Sequence, residues 1–318
     1  MQAEVHSLQR LHGDYYLQRF TTSALAFAPG QFVMVKPSGS LDPFLPRAYS
    51  ILRVHPHPGG RAPARAGLVE ILYKVIGKGT TALSLLERGD RVDLLGPLGS
   101  GFRVPPGPTT ALLVSGGIGV PPVVALAERL ARSSLAVQRS RFKVQGSGKK
   151  KGGHRSSDVG RWTLDVGRPK MVAFVGGKTR HDVLCLSDFR KAGATVRVAT
   201  EDGSLGHRGL VTDLLDSFLR SSVDGERSSV YACGPHPMLE AVARLAEHYR
   251  IPCQLSLEAD MACGFGACMG CVIPVHSSGF TVHGKKQTMT YEPSTMNQTS
   301  YKLCCKDGPV FDAREIAW

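Results

Sequence analysis

Cys263, Cys268 and Cys271 follow one another at the spacing C-x4-C-x2-C, and Cys304 and Cys305 come 33 and 34 residues after Cys271, all within the last fifth of the chain. Thiolates gathered in this way do metal or redox chemistry more often than they form disulfides. Three ligands from one tight loop plus one remote cysteine suit a [2Fe–2S] cluster, whose two irons need four thiolates. Ala262, Gly264, Gly266, Ala267 and Gly270 are small enough for the backbone to curl and turn its N–H groups toward the sulfurs. A structural zinc site also takes four cysteines, but it pairs two short knuckles; one loop with a distant partner favours the cluster. Cys304 and Cys305 are adjacent, so one of them ligates, and spacing does not choose between them.

Four further segments have the residue types for nucleotide chemistry. Gly116, Gly117 and Gly119 lie in Ser115-Gly-Gly-Ile-Gly-Val-Pro-Pro122, between an apolar strand and a helix with proline in its first turn. There, backbone N–H groups meet a pyrophosphate; a plain strand–helix turn is the alternative. Cys233, Gly234 and Pro235 end a later strand, at the edge where parallel sheets bind ligands, although a buried cysteine before a capping turn reads the same way. Arg47-Ala48-Tyr49-Ser50 offers a phosphate-binding guanidinium, an aromatic ring and a hydroxyl on one strand. Gly79 and Thr80, in Gly77-Lys-Gly-Thr-Thr81, open a helix that accepts phosphate oxygens or is merely capped by Thr80. Lys178 and Arg180 follow another strand and leave NAD or NADP open.

The elements that position these residues change character near Thr110. Before it, short strands (33–35, 48–54, 68–76, 91–95) with Gly/Pro turns predict a small antiparallel barrel, interrupted by one helix from Thr80 or Thr81 to Glu87. After it, strands at 111–115, 171–175, 195–200 and 229–232 alternate with helices at 121–131, 182–191, 210–220 and 237–249, which predicts a parallel sheet. The polar stretch 276–300 reads as a loop within the tail.

The chain has 318 residues and a net charge of +13. Residues 138–170 contribute +8 of that charge, leaving +5 for the rest. The excess therefore sits in a basic, Gly/Ser-rich insertion at 136–169, expected to be a long loop, and argues against nucleic-acid binding as the function. Met1–Arg10 has no apolar signal core, and the most apolar run, 111–127, is broken by glycine and proline. The expectation is a cytoplasmic protein with no membrane span. No acid–base triad is evident, as suits a redox relay.

Taken in order, the R-x-Y-S strand, the G-x-G-x-x-P turn, the C-G-P turn and the cysteine tail resemble the ferredoxin–NADP⁺ reductase superfamily. Within it, Asp42-Pro-Phe-Leu-Pro-Arg47, Thr200-Glu-Asp-Gly-Ser204, Met261–Cys271 and Cys305-Lys-Asp-Gly-Pro-Val-Phe311 are similar to the electron-transfer subunits of type 1B dihydroorotate dehydrogenases. The resemblance implies an α+β multi-domain chain: an FAD-binding antiparallel β-barrel (1–105), an NAD(P)-binding α/β domain (106–250) and a [2Fe–2S] domain (251–318). It implies that Arg47, Ala48, Tyr49 and Ser50, with Leu72, Tyr73 and Lys74, hold FAD, that Gly79 and Thr80 sit on its pyrophosphate, and that Cys305 joins Cys263, Cys268 and Cys271 as the fourth ligand. It further implies a hetero-oligomer with an FMN-containing dihydroorotate dehydrogenase catalytic subunit, in pyrimidine biosynthesis, electrons crossing the cluster to FAD and NAD⁺. The alternative is the small subunit of an NADPH:ferredoxin oxidoreductase or sulfide dehydrogenase. A binding protein that kept the fold and used the basic insertion is a third reading.

Overall fold

Alternating apolar and polar residues in the first hundred positions fold as six strands: β1 (Gln2–His12), β2 (Tyr15–Ser23), β3 (Phe32–Pro37), β4 (Arg47–Pro56), β5 (Ala66–Lys74) and β6 (Arg91–Leu98), with helix α1 (Lys78–Ser84) between the last two. The computed structural model describes all residues except 24, 40, 57–65, 106–109, 142–169, 222–227 and 277–298, and omits the side chains of 66 and 133–141. The six strands close into an antiparallel barrel in the order β1-β2-β5-β4-β3-β6. Val5, Phe20, Val33, Val35, Tyr49, Ile51, Val69, Ile71 and Tyr73 fill its interior, and α1 adds Leu83. β1 and β2 form a hairpin over Gly13, whose φ of +51° suits the turn. This pair is not evident in the sequence, because β1 buries only Ala3 and Val5 fully and shows little alternation.

The second half contains β7 (Thr110–Gly116), α2 (Val120–Arg141), β8 (Met171–Gly177), α3 (Leu186–Lys191), β9 (Thr195–Thr200), β10 (His207–Arg208), α4 (Val211–Ser221), β11 (Ser228–Cys233), α5 (His236–His248) and β12 (Cys253–Ser256). β7 is buried along its whole length, as expected of a parallel strand covered on both faces. The helix expected over 182–191 is split. A 3-10 turn spans Arg180–Asp182, and α3 begins only after Cys185, whose φ of 58° breaks the helical path. α2 continues to Arg141, past the start of the loop expected from 136; residues 142–169 of that basic insertion lie outside the described residues.

The tail adds β13 (Val272–His276), β14 (Thr299–Leu303) and β15 (Val310–Asp312). Residues 277–298 of the expected polar loop also lie outside the described residues; 299 and 300 begin β14. The sheet order is β10-β9-β8-β7-β11-β12-β15, with β15 antiparallel to β12 and all other pairs parallel. Residues 251–318 thus supply two strands to the α/β sheet, while among the described residues the cysteine loop and the β13–β14 ribbon stand apart from it.

Barrel and sheet are clamped by charge. The Glu70 side chain on β5 is fully buried, and Arg19 (2.5 Å) and Arg53 (2.9 Å) neutralise it. Arg53 also reaches Glu128 on α2 and Asp188 on α3, each at 2.6 Å. Burial opposes the Arg53 charge, but Glu128, Asp188 and Glu70 outweigh it and raise its pKa. A second tie joins the Tyr15 hydroxyl, which donates to Asp182 at 2.8 Å, and Lys74, 3.6 Å from the same carboxylate. Burial pushes Asp182 upward, yet the bonds from Tyr15 and Thr179, with Lys74, hold it below the usual carboxylate range.

Removing one partner from a buried ion cluster leaves charge without compensation. Glu70→Gln is expected to cost about 3–5 kcal/mol in chemical denaturation; a loss under about 1 kcal/mol would show that the clamp is not structural. Asp182 works in the opposite pH sense from a raised base. A depressed carboxylate favours the folded state above the unfolded value near pH ~4, and that contribution is lost as pH falls through the folded value. Below about pH 4, thermal stability should therefore fall more steeply in the wild type than in Asp182→Asn.

Candidate functional site

The cysteine loop starts from the end of β12 and is folded by local backbone requirements. Gly264 (φ +81°), Gly266 (φ +88°) and Met269 (φ +58°) occupy the left-handed region, so the chain reverses between each pair of cysteines. A side chain at Gly264 would start 2.5 Å from Met34 Cγ, which packs the loop directly onto barrel strand β3. The Cys268 N–H points to Cys263 Sγ at 3.5 Å, and the Cys305 N–H to Cys271 Sγ at 3.4 Å. Cys271 and Cys305 are buried, whereas Cys263 and Cys268 lie nearer the surface.

These contacts separate the two adjacent tail cysteines. Cys304 is fully buried, and its thiol donates to the Leu257 carbonyl at 3.6 Å, on the side of the sheet. Cys305 instead interacts with the thiol of Cys271 and with Cys263. The Cys268 N–H, assisted by those of Phe265 and Ala267, lowers the Cys263 thiol to about 6. Burial, then the proton shared with Cys271, pushes Cys305 up to about 12; burial does the same to Cys304. A metal centre would displace those protons, since only thiolates ligate.

The donor set fits a two-iron cluster. Cys263 lies beside Cys268 and Cys271 beside Cys305, four thiols that would hold the cluster's irons, and backbone N–H groups already face two of the sulfurs. Among the described residues, no three His, Cys, Asp or Glu side chains converge at the spacing of a single metal ion.

Behind the loop lies the strand with Arg47-Ala48-Tyr49-Ser50. Ala48 packs against the same apolar core as Cys271, Cys304 and Cys305, together with Phe32 and Met34 of β3. The register pairs Met34 with Ala48 and Val35 with Arg47. Arg47 is exposed; its guanidinium donates to the Leu45 and Pro46 carbonyls at 2.9 and 3.3 Å, and its stem lies across Gly79, 3.1 Å from where a side chain would begin. The structure thus brings Arg47 onto the start of α1. The Thr80 hydroxyl already accepts the N–H groups of Ile76 and Gly77 and donates to the Gly77 carbonyl.

The aromatic residues of the strand pair face inward. Tyr49 is buried edge-on to Tyr73 at 5.6 Å, and the Tyr73 hydroxyl donates to Gln18 at 3.1 Å. Burial pushes both phenols upward. Leu72 packs into the core shared with the α/β domain, and Lys74 lies over the Tyr15 ring at 5.0 Å while paired with Asp182. Ser50 is half-buried, paired across to Phe32.

The two glycine turns meet at the carboxyl ends of adjacent parallel strands, where Ser115 on β7 lies opposite Cys233 on β11. A side chain at Gly119 would lie 2.6 Å from the Cys233 carbonyl and from Gly234 Cα. Gly116 and Gly234 enclose the Met238 thioether, 2.7 Å from a would-be side chain at each. Gly117, at φ +52°, has open space around it, as a turn approached by a ligand requires. Cys233 is buried, and burial, then the carboxylate of Glu258, pushes its thiol up while the Ser256 hydroxyl draws it down. Ser256, Glu258 and Met238 are absent from the sequence motifs; only the strand after α5, ending next to the C-G-P turn, points to them.

The comparisons with known proteins agree with this arrangement. Residues 258–286 match the family model of the iron–sulfur cluster binding domain of dihydroorotate dehydrogenase B. The electron transfer subunit of dihydroorotate dehydrogenase B (NAD(+)) from Geobacillus kaustophilus is 37% identical over 291 residues, covering 91% of this chain and 86% of the relative. The protein of the same name from Desulforamulus reducens is 29% identical over 319 residues, covering 99% and 97%. Among solved structures, an NADH-dependent reduced ferredoxin-NADP oxidoreductase superposes with a TM-score of 0.67 at 22% identity, over 99% of this chain and 90% of that one. This last likeness supports the fold alone: a closed β-barrel beside a parallel-sheet domain.

Gly119→Ala places a methyl group against fixed backbone on two turns at once. It should destabilise the protein by about 1–3 kcal/mol in denaturant titration and weaken nucleotide binding measured by fluorescence quenching. Wild-type values for both would show that the turns do not pack as described.

Proposed function

The chain belongs to the family of dihydroorotate dehydrogenase B electron-transfer subunits, and from that membership we propose that it carries electrons from a partner flavoprotein, through a [2Fe–2S] cluster and FAD, to NAD⁺. The observation that carries this reading is the shared core: Cys271, Cys304 and Cys305 of the tail and Ala232 of β11 belong to one continuous apolar cluster, against which Ala48 of the Arg47–Ser50 strand packs. The small subunit of an NADPH:ferredoxin oxidoreductase is the weaker reading, since the curated relatives that match over most of the chain are dihydroorotate dehydrogenase subunits.

On this reading Cys263, Cys268, Cys271 and Cys305 hold the cluster, and the N–H groups of Cys268 and Cys305 stabilise charge on the sulfurs. When bound, the cluster passes single electrons and the flavin gathers two for hydride transfer to the nicotinamide. Arg47 offsets phosphate charge beside Gly79 and Thr80, and the segment Leu72–Lys74 forms the neighbouring wall. Met34, Ala48 and Leu98 keep water out of the gap between loop and barrel. Gly116, Gly117 and Gly119 receive the dinucleotide's pyrophosphate, and Cys233-Gly234-Pro235 lines the nicotinamide end. The sequence relatives support NAD in preference to NADP.

The partner is an FMN-containing catalytic subunit that oxidises dihydroorotate in pyrimidine biosynthesis. Phe265 and Met269 of the cysteine loop and Tyr301 of β14 are large and exposed, 58%, 60% and 68% respectively, and supply an apolar collar around the cluster for that contact. All eight cysteines are unpaired in the structure, in keeping with the reducing cytoplasm. No described helix is long and apolar enough to cross a membrane.

The test is an anaerobic absorption spectrum with iron, sulfide and flavin assayed on the same sample. The expected result is flavin bands with equal iron and sulfide, bleached by NADH; zinc without flavin would overturn the proposal. Cys305→Ser is expected to lose nearly all cluster iron, while Cys304→Ala keeps it at some cost in stability. The reverse pattern would reassign the fourth ligand.

A further inference from the structure

Resting on the reading that the four thiols hold a [2Fe–2S] cluster, we propose that Lys306 sets the cluster's midpoint potential by holding a positive charge against the cysteine loop. Lys306 directly follows Cys305, but its side chain turns back onto the other arm of the cage. Its Cδ and Cβ lie 3.1 and 3.3 Å from the point where a side chain on Gly266 would begin. The stem therefore rests on the segment between Cys263 and Cys268, while the Lys306 backbone directly follows Cys305.

The backbone fixes this course. The Lys306 and Asp307 N–H groups both donate to the Leu303 carbonyl, at 3.1 and 2.8 Å, and the Asp307 carboxylate accepts the Leu303 N–H at 2.7 Å. Gly266, with φ +88° and no side chain, leaves the surface on which the stem lies flat. The two lysines of this tail turn differ in their pairing. Lys302 is neutralised by Glu315 at 2.6 Å, whereas Lys306 has no carboxylate partner among the described residues. Of the nearby acids, Asp307 is held by backbone, and Glu258 lies toward Cys233 and Cys304, on the sheet side of the loop.

Reducing the cluster adds one electron from the reduced partner flavin and neither makes nor breaks a bond. The added negative charge interacts with every fixed charge around the cage, and a cation there favours the reduced form. Lys306 thus makes the cluster a better electron acceptor without touching either substrate.

The experiment is a mediated redox titration of the full cluster-loaded protein, followed by electron paramagnetic resonance. In Lys306→Gln the ratio of reduced to oxidised cluster at a fixed potential should fall about threefold, the scale of one largely exposed charge. Lys306→Arg and Lys302→Gln should titrate with the wild type, and the gap to Lys306→Gln should narrow in high salt. Lys306→Met, which keeps the stem on Gly266, carries the same test if Lys306→Gln loads no iron. Superposable titrations of Lys306→Gln and wild type, or an equal shift from Lys302→Gln, would overturn the proposal while leaving the relay intact. A reduced wild-type protein with no [2Fe–2S] signal would instead overturn the relay reading itself.

Discussion

Glu70 is a carboxylate with no access to water, and the geometry of the two larger domains follows from the need to neutralise it. Its counter-charges come from Arg19 on β2 and Arg53 on β4. Arg53 in turn completes its own balance outside the barrel, with Glu128 and Asp188. A buried charge network tolerates little displacement, because each partner lost leaves the others uncompensated. The barrel therefore meets α2 and α3 at one orientation. The strand that carries Arg53 also carries Arg47 and Ala48, so the clamp sets where those residues lie relative to the turns after β7 and β11.

The cysteine tail is held from both sides by the same logic of shared surfaces. β12 and β15 extend the sheet. Gln254 exchanges hydrogen bonds with the Arg103 backbone at 2.8 and 2.6 Å, and Ser100 donates to Gly308 at 2.5 Å. Met34 presses on Gly264 from the barrel. The cysteine loop is thus packed on the barrel on one side and tied into the α/β sheet on the other.

What could be read from the chain depended on how local each signal was. The central strands β7 and β8 are buried on both faces and stand out as unbroken apolar runs, so the parallel sheet was legible. The C-x4-C-x2-C loop was legible because covalent spacing alone limits where its thiols can go. The choice between Cys304 and Cys305 was not, since it depends on which way each sulfur points: toward the Leu257 carbonyl or toward Cys271. Tyr49 and Tyr73 have the side chains of ring-stacking residues, yet the alternation of β4 and β5 turns them into the barrel. The Arg53–Glu70 network joins residues from separate strands and helices, and nothing in the one-dimensional order marks it. β1, with only two fully buried residues, carried too weak an alternation to be recognised.

The position of β15 has a consequence for how the protein is made. β12 is synthesised before Cys263, Cys268, Cys271 and Cys305, and its outer edge stays open until β15, which lies beyond Cys305, arrives to pair with it. An open, buried-type strand edge invites pairing with other chains. The polypeptide that closes this edge is the one that has just delivered the last cysteine, so completion of the sheet and assembly of the metal cage are joined in time.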